Sequence, residues 1–291
     1  MVRRGSWVQV PLRALTPTSN TAPGRRLLRG ARIRLIAARL CSTKASRSRL
    51  VELLETERVS DLGAPEPIAL RALAGGEVYI RPGSSDADVL LGAFHGRYHL
   101  PQTKLTDPGL IWDLGANVGL TMRQMAAAFP RAKIIGVELD PDNAALARRN
   151  LAPIADRSEL VEGAVWTEPG TLTYGIPETQ VDGEDGFRVD EDGAGSAEAI
   201  TLDDLLARFG PPDYVKMDIE GAEREVLRRN TGWASPIARI GVEYHRPYTP
   251  EDCEADLRTL GFASFEAHRR GLLRRGSDSL YAARASSASS S

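Results

Sequence analysis

Short apolar runs alternate with amphipathic segments from about residue 110 to residue 260, and this alternation most restricts how the chain can fold. Runs such as "LIWDL" and "AKIIGVEL" are mostly apolar, as is typical of strands buried on both faces of a sheet. Between them lie stretches such as "PDNAALARRNL", whose apolar spacing and leading proline are typical of a helix. Strands that alternate with helices predict an α/β protein, with a doubly wound parallel sheet covered on both sides.

The predicted core elements follow one another closely. We predict strands at 110–114, 132–139, 158–166, 213–219 and 238–245, helices at about 118–128, 141–151, 201–209, 221–229 and 250–260, and two last strands at 262–269 and 279–284. No helical pattern separates the last two strands, which predicts an antiparallel hairpin at one edge of the sheet. The segment 181–198 is acidic, rich in glycine and poor in apolar residues, and we expect it to be a long loop or a disordered insertion.

The formal net charge of −2 conceals a strongly basic beginning. Residues 1–50 contain eleven Arg, one Lys and no acidic residue, a charge of +12, which leaves 25 basic and 39 acidic residues in the remainder. Because Pro, Ser, Thr and Gly interrupt this segment, we expect a basic, disordered extension. Part of it also fits the pattern of a basic amphipathic helix. We divide the rest into an N-terminal subdomain at 51–106, a core at 107–284 and a disordered tail at 285–291.

Composition excludes several classes of protein. No apolar run approaches the roughly 18 residues of a membrane-spanning helix, so we expect no membrane span. The two cysteines, Cys41 and Cys253, are too few for a disulfide framework and lack the spacing of a metal site. We therefore expect a cytoplasmic protein, with organellar import as the alternative in a eukaryote because the Arg-rich beginning resembles a presequence.

A glycine-containing motif, "DLGANVG", follows the first core strand. It begins at Asp113 and continues through Gly115, Asn117 and Gly119. Ligands of open parallel sheets bind at the carboxyl ends of the strands, and glycine there permits a positive φ and a close approach. Asparagine is the commonest non-glycine residue in the left-handed region, so Asn117 can keep the turn. Its side chain would crowd a pyrophosphate, which departs from the dinucleotide-binding pattern.

The second core strand ends in an acid, Glu138, 23 residues after Gly115. A carboxylate there can accept both ribose hydroxyls of an adenosine. Together with the missing pyrophosphate site, this favours S-adenosylmethionine as cofactor. Glu162, Gly163 and Ala164, where the third strand ends, are candidates for contacts with the adenine. The alternative is that these glycines serve only helix packing and that the acids are solvated.

Several stretches carry a family resemblance. "WDLGANVGL", "KMDIEGAE" and "IGVEYH" resemble the FkbM family of S-adenosylmethionine-dependent methyltransferases, and "YIRPGSSDADVLLGAFHGRYHLP" resembles the segment that precedes the family's core. The resemblance covers residues 77–283 approximately, and "KMDIEGAE" is its most specific part. It implies a class I methyltransferase fold, whose Rossmann-like sheet has seven strands with the last one antiparallel. It also implies O-methylation of a hydroxyl on a secondary metabolite or sugar.

Acids cluster where the fourth strand ends, at Asp218, Glu220 and Glu223. Asp218 and Glu220 would share a side if the strand continued, whereas Glu220 and Glu223 would be neighbours if a helix had begun. Acids at a helix N-terminus stabilise its dipole by about 0.3–1 kcal/mol each, which could by itself explain Glu223. Since an acid near a cationic sulfonium favours its binding, we assign Asp218 to the cofactor site. Asp218 and Glu220 are also candidate catalytic residues.

The fifth strand ends at Glu243 and His245, which share one face because they alternate. Methyl transfer to an alcohol requires removal of the hydroxyl proton, and His245, with an ordinary pKa of about 6.5, is the best candidate base. Asp218 is the competing base, and a purely structural histidine is the alternative. Asp218, Glu220 and Glu243 would suit Mg²⁺, but strand-end acids also occur without metal, and we assign no metal.

We weigh three other interpretations. A nucleic-acid methyltransferase could use the basic segment for phosphate contacts, but the predicted catalytic face is acidic and no aromatic-flanked motif for base amines is present. A catalytically silent cofactor-binding domain could keep the fold alone. A nicotinamide dehydrogenase ranks last because Asn117 replaces a glycine and no Tyr-x-x-x-Lys pair is present. We therefore expect a small-molecule hydroxyl acceptor and no stable nucleic-acid partner, and the sequence allows a homodimer.

Overall fold

A computed structural model describes residues 23–56, 59, 62–101, 105–175, 188–189, 195–268 and 279–285. The first elements in chain order are α1 (Pro23–Leu40), α2 (Lys44–Glu55), β1 (Glu66–Ala69), β2 (Glu77–Ile80) and α3 (Asp86–Leu91). The next are β3 (Leu110–Leu114), α4 (Leu120–Ala128), β4 (Lys133–Glu138), α5 (Pro141–Leu151) and β5 (Ser158–Glu162). Four short strands follow, β6 (Ala164–Val165), β7 (Thr171–Gly175), β8 (Arg188–Val189) and β9 (Gly195–Ile200). The last are α6 (Leu202–Phe209), β10 (Tyr214–Met217), α7 (Glu223–Arg228), β11 (Arg239–Glu243), α8 (Pro250–Thr259), β12 (Ser264–His268) and β13 (Ser279–Ala283).

The main sheet has seven strands in the order β12-β13-β11-β10-β3-β4-β5. The strands from β11 to β5 pair in parallel, whereas β13 runs antiparallel to both β11 and β12. This confirms the predicted α/β class, the seven strands and the edge hairpin. The chain moves outward from β3 to β5 and then returns to β10 on the other side of β3. Strand order therefore reverses between β3 and β10, the place where open sheets bind their ligands.

Local sequence explains where the core helices begin. Asp140 caps α5, since its side chain accepts a hydrogen bond from the Asn143 N–H, and Pro141 occupies the first helical position. The proline at the start of the helix agrees with the sequence prediction. Thr201 caps α6 and Thr249 caps α8, each in a capping box with the acid three residues later. These caps set the points at which the chain leaves each strand end and enters the covering helix.

A second sheet, in the order β6-β9-β7-β8, differs from the sequence prediction. The predicted third strand at 158–166 divides at Gly163, because β6 leaves the main sheet and pairs in parallel with β9. The expectation of a loop over 181–198 is wrong for the residues from 195 onward, because β9 also pairs antiparallel with β7. The rest of that segment, except the short β8, lies outside the described residues.

The basic beginning of the chain also differs from the prediction. Residues 1–22 lie outside the described part, but 23–50 are almost entirely helical, so the expectation of disorder over 1–50 is wrong there. Ile33 and Ile36 are each 3% exposed, because α1 buries one apolar side and leaves Arg29, Arg32, Arg34 and Arg39 outside. The N-terminal subdomain therefore begins near residue 23 instead of 51. Of the predicted tail, 286–291 lie outside the described residues.

The N-terminal subdomain and the main sheet are not separate bodies. One hydrophobic cluster joins Leu50 and Ile68 to Val118, Leu120 and Leu146, which belong to the loop after β3, to α4 and to α5. Burial of this shared apolar surface stabilises the docking of the subdomain against the sheet. Within the described residues, no helix combines the length and the hydropathy that crossing a bilayer requires.

The packing of α1 predicts a contrast between two adjacent residues. Ile36 is 3% exposed and Leu35 is 54% exposed. We expect Ile36→Ala to lower the free energy of unfolding by about 2–5 kcal/mol, because it leaves a cavity, and Leu35→Ala to change it by less than about 0.5 kcal/mol. Chemical denaturation of the two variants measures both values. Equal, small effects would mean that α1 does not pack in solution.

Candidate active site

The loop after β3, residues 115–119, has the backbone shape that the sequence predicts. Gly115, Asn117 and Gly119 have φ angles of +79°, +49° and +77°. Asn117 therefore occupies the left-handed region, and its side-chain oxygen accepts a hydrogen bond from the Val118 N–H at 2.6 Å. We call residues 115–119 the glycine loop. It lies at the carboxyl end of β3, where the strand order reverses.

The two glycines of this loop are required by protein contacts. A Cβ on Gly115 would lie 1.8 Å from the carbonyl oxygen of Asp218, in the segment after β10. A Cβ on Gly119 would lie 3.3 Å from Ala147 of α5. The sequence analysis assigned both glycines to the approach of a ligand. In the structure, close packing of protein against protein already accounts for them, and contact with a cofactor stays a prediction.

Glu138 lies beside the glycine loop, as predicted. Its carboxylate accepts hydrogen bonds from the backbone N–H groups of Asn117 at 2.7 Å and Asp140 at 3.0 Å, and from the Asn143 side chain at 3.4 Å. Burial raises the pKa of Glu138 to about 7, although these hydrogen bonds act to lower it. The two oxygens offer about four lone pairs, and these three hydrogen bonds use three of them, so at least one acceptor position is left. It can therefore accept hydroxyl donors from a ligand.

Asp113 is an internal counter-ion. It is fully buried, accepts a hydrogen bond from the Thr121 hydroxyl and lies 3.0 Å from the ammonium nitrogen (Nζ) of Lys216. Burial raises the pKa of Asp113, and Lys216 and Thr121 oppose that shift. Its carboxylate is thus engaged inside the protein. A direct contact between Asp113 and a cofactor, which the sequence analysis proposed, stays a prediction.

Sequence analysis missed Lys216. Its Nζ donates a hydrogen bond to the Gly115 carbonyl at 2.7 Å and lies 3.5 Å from an Asp218 oxygen (Oδ2). Burial lowers the pKa of Lys216, but the carboxylates of Asp113 and Asp218 more than offset this and keep it above its ordinary value. A lysine inside the buried strand "YVKM" was the available signal, because lysine is almost never fully buried without a partner.

The three residues predicted near the adenine lie where β5 gives way to β6. Glu162 forms an exposed ion pair with Arg148 at 2.7 Å. The Gly163 N–H donates to the Glu138 carbonyl at 2.8 Å, and a Cβ on Gly163 would lie 2.6 Å from Ile200 of β9. Ala164 is buried in the second sheet. Packing against β9 explains the glycine, and an adenine contact stays a prediction.

A tight turn follows β10 and shapes the acidic segment. The strand ends at Met217, and α7 begins at Glu223. Glu220, with φ +52°, and Gly221, with φ +105°, reverse the chain between them. The fully buried Glu223 side chain accepts the N–H groups of Ile219 at 3.0 Å and Gly221 at 2.8 Å. Glu223 therefore holds the turn, a structural role different from the stabilisation of the helix dipole that the sequence suggested.

The turn brings the three predicted catalytic residues together. His245, just beyond β11, lies 3.2 Å from Glu220 and 3.7 Å from Asp218 through its Nε2 atom. Its other ring nitrogen, Nδ1, lies 2.9 Å from the carboxylate of Glu223. We call Asp218, Glu220, Glu223 and His245 the strand-end cluster. Asp218 and Glu220 belong to the turn that follows β10, Glu223 is the first residue of α7, and His245 follows β11.

The carboxylates of the strand-end cluster change the protonation of the histidine. Burial lowers the pKa of His245, but the carboxylates of Glu223, Glu220 and Asp218 raise it by a larger amount. The pKa of His245 therefore lies at about 10. Burial also raises the pKa of Glu220 to about 8; His245 acts to lower it, whereas the neighbouring acids add to the rise. At neutral pH in the free protein, His245 is therefore an imidazolium. It must lose a proton before it can act as the base that the sequence predicts.

The same residues form a donor set that could hold a metal. One ligand atom from each of Asp218, Glu220 and His245 lies within 4.8 Å of the other two. Carboxylate and imidazole donors bind divalent cations. In the free protein, however, Nε2 carries a proton that faces Glu220, so the imidazolium already supplies a positive charge there. The sequence analysis assigned no metal, and this assignment stays a prediction.

Comparison with known proteins gives two relatives by sequence. The chain is 30% identical over 156 residues to 2-O-methyltransferase NoeI of Sinorhizobium fredii, covering 47% of this chain and 63% of that protein. It is 26% identical over 154 residues to hexuronic acid methyltransferase AglP of Haloferax volcanii, covering 49% and 59%. The chain therefore matches somewhat less than two thirds of the length of each relative.

Solved structures include the human N-acetylserotonin methyltransferase, with 16% identity and a TM-score of 0.42, covering 68% of this chain and 54% of that one. No functional conclusion follows from likeness at this level. The methyltransferase FkbM domain model matches residues 113–278, more than half of the chain. The match includes the glycine loop, Glu138 and the whole strand-end cluster. On this evidence the chain belongs to the FkbM methyltransferase family.

Proposed function

We propose that this protein catalyses S-adenosylmethionine-dependent O-methylation of a hydroxyl on a small molecule, a sugar or a secondary metabolite. The observation that carries the proposal is the placement of His245 against Asp218 and Glu220, on the same edge of the sheet as the glycine loop and Glu138. The printed names of the two relatives, a 2-O-methyltransferase and a hexuronic acid methyltransferase, support methyl transfer to sugar-like acceptors.

The described residues fit this cofactor. Glu138 has at least one unused carboxylate lone pair for the ribose hydroxyls, and the glycine loop lies beside it. The carboxylates of the strand-end cluster lie around a single imidazole and attract a cationic ligand. When bound, S-adenosylmethionine supplies an electrophilic methyl group on a positively charged sulfonium.

The acceptor oxygen must be held in line with the bond between the sulfonium sulfur and the methyl group, and its hydroxyl must lose its proton as the oxygen is methylated. We assign proton removal to His245, with Asp218 as the competing base. A cation beside the strand-end cluster lowers the pKa of His245, because it competes for the same carboxylates. Nε2 can then become the proton acceptor, while Glu223 at Nδ1 keeps the ring oriented. Glu220 receives or shares that proton through the 3.2 Å contact.

An acidic site argues against a polyanionic acceptor such as nucleic acid. Repulsion from Asp218, Glu220 and Glu223 would oppose a phosphate at the reacting position. A neutral polyhydroxylated acceptor would instead donate hydrogen bonds to the same carboxylates. We therefore retain the small-molecule acceptor as the proposed partner.

Glu138 makes cofactor affinity depend on pH. Its pKa in the folded protein is raised to about 7, and only the ionised form can accept both ribose hydroxyls. We expect affinity for S-adenosylmethionine to rise about tenfold between pH 6 and pH 8, because the ionised fraction rises by that factor. Isothermal titration calorimetry measures the change. Glu138→Gln should bind more weakly and show a smaller rise than the wild-type protein over the same pH range, whereas an undiminished rise in that variant would contradict the assignment.

His245 should matter more for turnover than for cofactor binding. We expect His245→Ala to lower kcat by about 10²–10⁴-fold while changing the S-adenosylmethionine Kd far less. In the wild-type protein, kcat/KM should still increase above pH 7, because the pKa of His245 is raised to about 10 and the imidazolium loses its proton only as pH rises. Wild-type turnover in His245→Ala at saturating substrates would remove the residue from the mechanism.

Chelation tests the assignment of no metal. Because the imidazolium of His245 occupies the position that a cation would take, we expect protein stripped with EDTA to keep its methyl-transfer rate. Metal content is checked by mass spectrometry of the digested protein. A loss of activity that added Mg²⁺ or Mn²⁺ restores would show that Asp218, Glu220 and His245 bind a catalytic metal.

A further inference from the structure

Two buried asparagines on α5 attach the N-terminal subdomain to the cofactor side of the sheet. Asn143 and Asn150 are seven residues apart, two helical turns, and each is 1% exposed. Asn150 accepts the Tyr79 N–H at 2.6 Å and donates to the carbonyls of Tyr79 at 3.0 Å and Val118 at 2.8 Å. It thus joins β2 to the glycine loop.

Asn143 makes a second connection, toward Arg81. The Arg81 guanidinium donates to the Asn143 side-chain oxygen at 2.9 Å. The same guanidinium forms a bidentate pair with the fully buried Asp86, at 3.0 and 2.9 Å. Asp86 also accepts the Arg81 backbone N–H at 2.8 Å, so the turn between β2 and α3 fixes the position of the arginine.

This contact decides which way the Asn143 amide points. An arginine has only donors, so its partner atom on Asn143 must be the oxygen. The NH₂ group of Asn143 then faces Glu138, 3.4 Å from its carboxylate oxygen. Without Arg81 the amide could turn over and place its oxygen against the carboxylate, which would repel it. Arg81 therefore acts through Asn143: it keeps the NH₂ group of Asn143 directed at the Glu138 carboxylate.

A purely structural role for the buried Arg81–Asp86 pair explains less of this arrangement than a role in orienting Asn143. Burying an Arg–Asp pair has a large desolvation cost, and an apolar pair could often hold a turn equally well. Arg81 is 8% exposed, and a further donor of its guanidinium, beyond the two that bind Asp86, is directed at Asn143. The charge is thus retained at a place where it controls the orientation of a group that touches Glu138.

We propose that Arg81 is a positioning residue for the cofactor ribose, acting through Asn143 on Glu138, with Asp86 holding Arg81 in place. The inference rests on the proposed function, because it takes Glu138 as the acceptor of the ribose hydroxyls. It also makes the turn between β2 and α3, outside the matched family domain, a part of the cofactor site.

The test compares S-adenosylhomocysteine with its 2′-deoxyribose analogue by calorimetry. In the wild-type protein we expect loss of the hydroxyl to weaken binding about tenfold, because one acceptor on Glu138 is left unpaired. In Arg81→Gln this penalty should fall to about twofold or less, the value expected for Glu138→Ala, because the carboxylate is no longer held toward the ribose. Arg49→Gln is the matched control, since Arg49 makes a bidentate pair with Glu66 in the same subdomain. It should keep the full penalty.

Circular dichroism checks that each variant is folded. If Arg81→Gln does not fold, Asn143→Ala carries the same test, because it removes the group through which Arg81 acts. If a folded Arg81→Gln or Asn143→Ala variant keeps the full loss of affinity for the 2′-deoxyribose analogue, the inference about Arg81 is wrong and the proposed function is unaffected. Failure of the folded wild-type protein to bind S-adenosylmethionine or S-adenosylhomocysteine would overturn the proposed function as well, so the two failures can be told apart.

Discussion

The contact between the ends of β3 and β10 is the constraint on which the rest of the site depends. Gly115 touches the carbonyl of Asp218 so closely that no Cβ fits, and the Lys216 ammonium lies between Asp113, the Gly115 carbonyl and Asp218. A buried cation of this kind is tolerated only because carboxylates surround it. It ties the glycine loop, where the cofactor would lie, to the first residue of the strand-end cluster, where the chemistry would occur.

Charge then accounts for the behaviour of the cluster. The turn after β10 places three carboxylates around one imidazole, and the buried Glu223 both closes the turn and holds Nδ1. In the free protein the imidazole carries a proton and balances part of this negative charge. A cationic ligand would neutralise the same negative charge in place of the imidazolium, and His245 would then lose its proton. On the proposed function, binding of the cofactor and loss of the His245 proton would be linked through the same carboxylates.

Much of the fold could be predicted from the sequence, because buried strands and capped helices have strong local patterns. The strand ends, the left-handed Asn117 and the helix that follows Asp140 all depend on short-range features. The second sheet could not be predicted, since "GSAEAI" has little apolar alternation and becomes a strand through its pairing with β6 and β7. The helix α1 looked like a charged extension because arginines dominate its local pattern, and its apolar side is buried only when it packs against α2 and residues 71–73 and 92–96.

The residues of the candidate site could be predicted from the sequence, but their protonation and backbone conformation could be predicted much less. Strand-end acids and His245 could be named because parallel strands bring their carboxyl ends to one edge. The raised pKa of His245 depends on a turn with Glu220 in a left-handed conformation, which no spacing rule predicts. The roles of Lys216 and Arg81 depend on partners about 100 and 60 residues away. Such long-range pairs are determined by the order of the strands.

A crystal structure of the protein with S-adenosylhomocysteine tests the account most directly. The account predicts both ribose hydroxyls within hydrogen-bond distance of the Glu138 carboxylate and the sulfur atom beside Asp218, facing His245. Ribose bound away from Glu138, or a nucleoside on the opposite edge of the sheet, would contradict it.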